Sequence, residues 1–243
     1  MPVVAIFGPT GVGKTGVAIA LAEQLREQGE DPVAISCDAL QVYEGLSTLT
    51  GVATPTEQAR LEHRLVGFVP VTRPFSVGDY MPLAHAEIDV ALEAGRQPIV
   101  VGGTGLYLRA ALGELSLIKA PPESEDSELW SPETRHPTAI FGIDMDRAEL
   151  YARIDARTEA IVAAGAREEV ENAEAAGPSR TARKALGFEE VLSGDVEAMQ
   201  QRSRNYARRQ LTWMRKVPNL RWVDRTDRSD AEVAAEISAA LAA

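Results

Sequence analysis

Short apolar runs alternate with stretches of helical spacing along this chain. Val3-Val4-Ala5-Ile6-Phe7 is the first run, and helical spacing follows from Gly16 to about Gln28. Pro32 to Cys37 is the second strand, Leu65 to Val69 a short one, Pro98 to Val101 another, Thr138 to Met145 the next and Leu220 to Val223 the last. Runs this short and continuous fit strands buried on both faces of a parallel sheet. Between them, a short helix is expected after Pro55. Another covers Val77 to Glu93, with Pro82 in its first turn and Gly95 closing it. From Asp146 the residues Leu150, Ile154, Ile161 and Val162 share one helical face. Gly165 and Gly177-Pro178 break the helices that follow. Asp195 to Arg215 is a long helix, and Asp230 to Ala242 the last.

Two glycine-rich turns interrupt this alternation at strand ends. Gly8-Pro9-Thr10-Gly11-Val12-Gly13-Lys14-Thr15 fits G-x-x-x-x-G-K-[ST] between a strand and a helix, as in ATP-binding and other nucleotide-binding loops. Backbone N–H groups of such a turn and the positive helix N-terminus attract phosphate. Lys14 adds a point charge, and the Thr15 hydroxyl suits Mg²⁺. The motif leaves open which phosphate compound is held. The second turn, Gly102-Gly103-Thr104-Gly105-Leu106-Tyr107, repeats the geometry after another strand. The strand ending at Cys37 delivers Asp38, followed by Ala39, Leu40 and Gln41, to the same end of the sheet. The fold class read from this order is α/β: a P-loop NTPase-like parallel sheet flanked by helices, with a helical C-terminal portion. Residues 1–113 form the first part of the core. Residues 114–137, with Pro121-Pro122 and the acidic run 123–128, are expected to form a short, exposed, mobile connection, and 138–243 to complete the core.

Composition narrows the setting. At 243 residues and 45% hydrophobic, the chain can bury a proper core. No apolar run is long enough to span a bilayer, and no signal peptide precedes the first strand, so a cytoplasmic protein is expected. The single Cys37 forbids an internal disulfide and reads as a buried small residue. His63, His85 and His136 have no metal spacing. A net charge of −11 argues against a general nucleic-acid binder. Yet residues 202–216, RSRNYARRQLTWMRK, hold six basic residues and no acid. That segment is either a solvated helix face or a local contact for phosphates.

Seven stretches taken together resemble the tRNA dimethylallyltransferases, also called tRNA isopentenyltransferases. They are GPTGVGKT at 8–15, DALQVY at 38–43, FSVGDY at 75–80, VGGTGLYL at 101–108, DRAELYARIDART at 146–158, ALGFEE at 185–190 and RSRNYARRQLTW at 202–213. The resemblance implies transfer of the dimethylallyl group of dimethylallyl diphosphate to N6 of an adenosine beside the tRNA anticodon. It implies Asp38 as base at the adenine amine and Thr104 at the reaction centre. Ala39, Leu40 and Gln41 would line the nucleotide. The loop, Gly8 to Thr15, and Arg147 would serve the diphosphate with Mg²⁺, and Arg204, Arg208 and Arg209 the tRNA. A monomer is expected. Some of Arg147, Arg153 and Arg157 are expected near the phosphate site; otherwise they are ordinary surface arginines.

The sequence departs from the family pattern in places that concern tRNA grip. The helical insertion between the GGTGLY helix and the DR-x-x-L-Y helix is expected to be missing. Ala39 stands for a serine, Arg64 for a histidine and Glu189 for a lysine, and STLTGVAT after Tyr43 lacks a lysine. Three other readings remain: a prenyltransferase acting on free AMP, ADP or ATP, a small-molecule kinase of the P-loop class, and a non-catalytic RNA-binding relic.

Overall fold

The computed structural model describes residues 1–115 and 130–242. Among these residues six strands form one all-parallel sheet: β1 (Val3–Phe7), β2 (Pro32–Ser36), β3 (His63–Arg64), β4 (Gln97–Gly102), β5 (Thr138–Asp144) and β6 (Leu220–Asp224). Their spatial order is β3-β2-β4-β1-β5-β6, so β1 is central. Residues alternate between the two faces of the pleat, and both faces are covered. Val3, Ala5 and Phe7 point into one core with Ile35, Val100, Tyr80 and Leu108. Val4 and Ile6 point into the other with Ile99, Phe141, Leu21 and Ile237. This double burial is why the strands read as unbroken apolar runs.

Helices α1 (Lys14–Glu27) and α10 (Asp230–Ala242) pack together on one face. On the other, α4 (Val77–Glu93) packs against α5 (Gly105–Leu112). The C-terminal helical portion consists of α6 (Arg147–Ala163), α7 (Ala166–Ala176), α8 (Phe188–Ser193) and α9 (Val196–Met214). Helix α9 packs on α6, α8 and α5, across the carboxyl ends of the strands. Short helices α2 (Ser47–Thr50) and α3 (Pro55–Arg60) lie between β2 and β3. Caps fix the starts of several elements. Thr54 and Glu57 make a reciprocal capping box, as do Ser76 and Asp79, and Asp195 accepts from the Ala198 N–H.

Several boundaries differ from the sequence reading. Helix α1 starts at Lys14, inside the glycine-rich motif, because Gly13 takes φ 90° and serves as its N-cap. The short strand is His63–Arg64, not Leu65 to Val69. Leu65 and Gly67 both have positive φ and turn the chain away, and only Val69 makes a single bridge, to Tyr43. Pro82 is the sixth residue of α4, past its first turn, on the exposed side. Within the expected mobile connection, residues 130–137 are instead held down. The Trp130 ring packs on Trp213 with centroids 4.7 Å apart. Arg109 donates to the Ser131 carbonyl (2.7 Å), and Arg135 and His136 both reach Asp89 (3.0 and 2.7 Å). The acidic run 123–128 lies outside the described residues.

Candidate active site

Three adjacent strand ends, β2, β4 and β1, carry Asp38, the Gly102–Gly105 turn and the phosphate loop. They meet at a cavity of about 640 Å³. Thr10, Gly11, Gly13, Lys14 and Thr15 of the loop line it, with Asp38, Leu40 and Gln41. Gly8, Pro9 and Val12 stand behind this surface and shape the loop. Val12 is buried in the core, and a Cβ on Gly8 would stand 2.8 Å from the Ile143 carbonyl oxygen.

Lys14 donates to the Pro9 carbonyl (2.9 Å), which holds its side chain back over its own loop. Its pKa is lowered to about 8, first by burial, then by the Arg157 charge, and Asp38 opposes the shift. Asp38 Oδ1 accepts from the Leu40 N–H (2.9 Å), which fixes the carboxylate at the strand end. Thr104 is not in the cavity wall itself. Its Oγ1 accepts from the Ala39 N–H (3.4 Å) and lies 3.5 Å from the Tyr206 hydroxyl, which does line the cavity. Burial pushes Tyr206 up to about 12, with the Asp38 charge adding to the shift, so its hydroxyl keeps its proton at neutral pH. Gln41 reaches the cavity, yet its amide is engaged internally. It accepts from Ser36 Oγ (2.9 Å) and donates to the Gly51 carbonyl (2.9 Å). Ala39 stands beside Thr104 through its backbone and lies outside the lining.

Arg147 does not reach the loop. It is exposed at the first turn of α6, and the arginines of that helix that line the cavity are Arg153 and Arg157. The loop meets α6 further along, where a Cβ on Gly11 would stand 2.7 Å from Ile154 Cγ1. Arg153 Nε donates to the Gly11 carbonyl (3.2 Å), and the Arg157 guanidinium lies against Gly51. On α9, Arg204 is engaged with Asp155 (2.6 Å) and Arg202 with Glu190 (2.8 Å). Arg208, Arg209, Arg215 and Lys216 are exposed.

Sequence reasoning assigned no role to Gln210, which clips the two glycine turns together. Its Oε1 accepts from the Thr10 N–H (2.8 Å) and its Nε2 donates to the Gly103 carbonyl (2.8 Å). It is buried. The only signal was its place inside RRQLTW. Tyr206 was missed likewise. Among the described residues no three His, Cys, Asp or Glu side chains cluster as a metal site. The Thr15 hydroxyl has no hydrogen-bond partner among them and lines the cavity. One hydroxyl beside a phosphate loop would fit a Mg²⁺, an ion usually held by few protein ligands with phosphate and water oxygens.

A phosphate loop on the central strand of a parallel sheet, lining one cavity together with Asp38, Arg153, Arg157 and Arg225, defines a P-loop α/β protein. The chain belongs to the IPP transferase family: the sequence profile of that family matches residues 41–131 and 120–217, and the isopentenyl transferase profile matches 1–66. It is 31% identical to the tRNA dimethylallyltransferase of Kineococcus radiotolerans over 95% of this chain and 93% of that one. With the enzyme of the same name from Rhodospirillum centenum it shares 34% identity, over 88% of each. The crystal structure of the full-length tRNA isopentenylpyrophosphate transferase from Bacillus halodurans superposes with a TM-score of 0.85 at 28% identity, covering 99% of this chain and 95% of that one.

Proposed function

We propose that this protein transfers the dimethylallyl group of dimethylallyl diphosphate to N6 of the adenosine next to the anticodon, position 37, of tRNA, releasing pyrophosphate. The observation that carries this reading is the single cavity lined by both the phosphate loop and Asp38. Loop amides, Lys14, Arg153 and Arg157 hold the diphosphate. Asp38 accepts the proton that the adenine amine sheds as it attacks carbon. The N6–C bond forms, the C–O bond breaks, and its electron pair leaves with pyrophosphate. The allylic carbon tolerates positive character, so stabilising the departing anion is the larger task. Each preorganised donor of this kind typically contributes ~10²–10³ in rate. Thr15 would hold a Mg²⁺, which would supply further charge neutralisation when bound. Thr104 and Tyr206 flank Asp38 and orient the base, which must leave its stack at a cost of a few kcal/mol.

The exposed Arg208, Arg209, Arg215 and Lys216 give the tRNA backbone a cationic surface on an otherwise acidic protein. Arg204 supports this surface through Asp155. No helix among the described residues is long and apolar enough to cross a membrane. We place the protein in the cytoplasm with its tRNA, acting as a monomer. The family profile matches in two pieces that overlap at 120–131. A segment missing from this chain produces that pattern, and it supports residues 114–137 as a short connection in place of the insertion.

The same feature favours a second reading, transfer to free AMP, ADP or ATP. Incubation with labelled dimethylallyl diphosphate, bulk tRNA and mononucleotides side by side separates the two. Label on tRNA that is lost in Asp38→Ala supports the first. Label on mononucleotides alone establishes the second.

A further inference from the structure

Immediately after β6, Arg225 turns inward toward the phosphate loop. Its backbone N–H donates to the Asp144 carbonyl (2.8 Å), which fixes its position at the strand end. The side chain is only 6% exposed. Nη2 pairs with Asp230 at the start of α10. Nε and Nη1 are buried and have no hydrogen-bond partner among the described residues. A Cβ on Gly13 would stand 2.8 Å from Arg225 Cζ and 3.0 Å from Nη1. The guanidinium therefore lies flat against the last glycine of the loop. Arg225 and Asp230 both line the cavity.

Buried N–H groups in folded proteins are nearly always paired, and a guanidinium with two bare donors needs an acceptor. The acceptor suited to that planar fork is a carboxylate or a phosphate. The neighbouring carboxylate, Asp230, already takes Nη2. The open donors belong to a residue that faces a loop whose amides collect anions. Arg225 lies beyond the last of the seven stretches that carry the family resemblance, so nothing in that resemblance assigns it a role.

We propose that Arg225 is a further diphosphate-binding residue, whose Nε and Nη1 donate to oxygens of the prenyl donor's diphosphate and of the pyrophosphate product. This rests on the reading that the phosphate loop holds a diphosphate. The guanidinium approaches from the Gly13 flank, while Arg153 and Arg157 approach from α6.

Isothermal titration with inorganic pyrophosphate, at fixed Mg²⁺ and ionic strength, tests the proposal on the wild type, Lys14→Ala, Arg225→Gln, Arg225→Lys and Asp230→Asn. Thermal midpoints are recorded for each. Arg225→Gln is expected to weaken binding about tenfold or more, as loss of charge-assisted hydrogen bonds does. Arg225→Lys keeps the charge beside Asp230 but loses the fork, and falls between. Asp230→Asn is expected to bind as tightly as wild type or more tightly, because the guanidinium is freed. A merely structural ion pair would make the Arg225 and Asp230 variants weaken together, in step with their thermal midpoints. That result, or Arg225→Gln and Arg225→Lys both binding like the wild type while Lys14→Ala does not, overturns the proposal and leaves the diphosphate reading standing. A wild type that fails to bind pyrophosphate overturns both.

Discussion

The Gln210 clip is open to a substitution that nearly preserves its shape. In Gln210→Glu, the remaining side-chain oxygen still accepts from the Thr10 N–H. The second oxygen now faces the Gly103 carbonyl, 2.8 Å away in the native clip, acceptor to acceptor. At pH 8 the variant loses one buried hydrogen bond and leaves the Gly103 oxygen unsatisfied, a cost of about 1–3 kcal/mol. Burying the new carboxylate adds to it, so a total of about 2–4 kcal/mol is expected. Burial raises the new carboxyl's pKa in the folded state, and the protonated acid can donate to the Gly103 carbonyl as the amide does. The deficit relative to wild type therefore shrinks as pH falls through that raised pKa. Urea unfolding at pH 8 and pH 5.5, with wild type measured beside the variant, reads the difference directly. Prenyl transfer should recover over the same range, because the clip sets the spacing of the two turns. A deficit under about 0.5 kcal/mol, below the cost of even one hydrogen bond, or one that does not change with pH, would refute the clip.

Further outcomes follow from neighbouring residues. Lys14, near pKa 8, is charged below that value, and a bound diphosphate favours the charged form. Donor affinity is therefore full below about pH 8 and falls by up to about tenfold per pH unit above it, while Lys14→Arg, titrated alongside, stays flat relative to wild type. A Cβ at Gly105 would run into the Trp213 ring, itself backed by Trp130, so Gly105→Ala should cost about 1–3 kcal/mol in urea unfolding. Burial, reinforced by the Asp38 charge, pushes the Cys37 thiol up, so a thiol reagent at pH 8 should leave the native protein unlabelled and label it fully in denaturant.

Much of the fold was legible because its strands are buried on both faces. Val3 to Phe7 and Pro32 to Ser36 are buried at every position, and an unbroken apolar run is what such strands require. The expected strand at Leu65 to Val69 failed because a left-handed Leu65 is set by tertiary context, not by hydrophobic order. In the site, Lys14, Thr15 and Asp38 were readable because the loop motif and strand ends fix them. Arg147 is on the helix that meets the loop but too near its start. It sits about 9 Å along the axis before Arg153, and the loop meets α6 only where Gly11 touches Ile154. Gln210 was hidden because a glutamine within a basic helix reads as surface. Only packing α9 over the strand ends shows it joining residues 200 and 107 positions away. Arg225 was hidden for a similar reason, since a lone arginine after an edge strand carries no pattern.

In the proposed reaction one cavity joins a diphosphate to an adenine amine under the control of Asp38. The most direct test is mass spectrometry of nucleosides from tRNA incubated with dimethylallyl diphosphate and either wild-type protein or Asp38→Asn, which keeps the shape and removes the base. The wild type should convert adenosine to its N6-dimethylallyl form in tRNA. Asp38→Asn should still bind pyrophosphate and lose about 10²–10⁴ in rate. Equal rates of N6-dimethylallyladenosine formation by the two proteins would contradict Asp38 as the base.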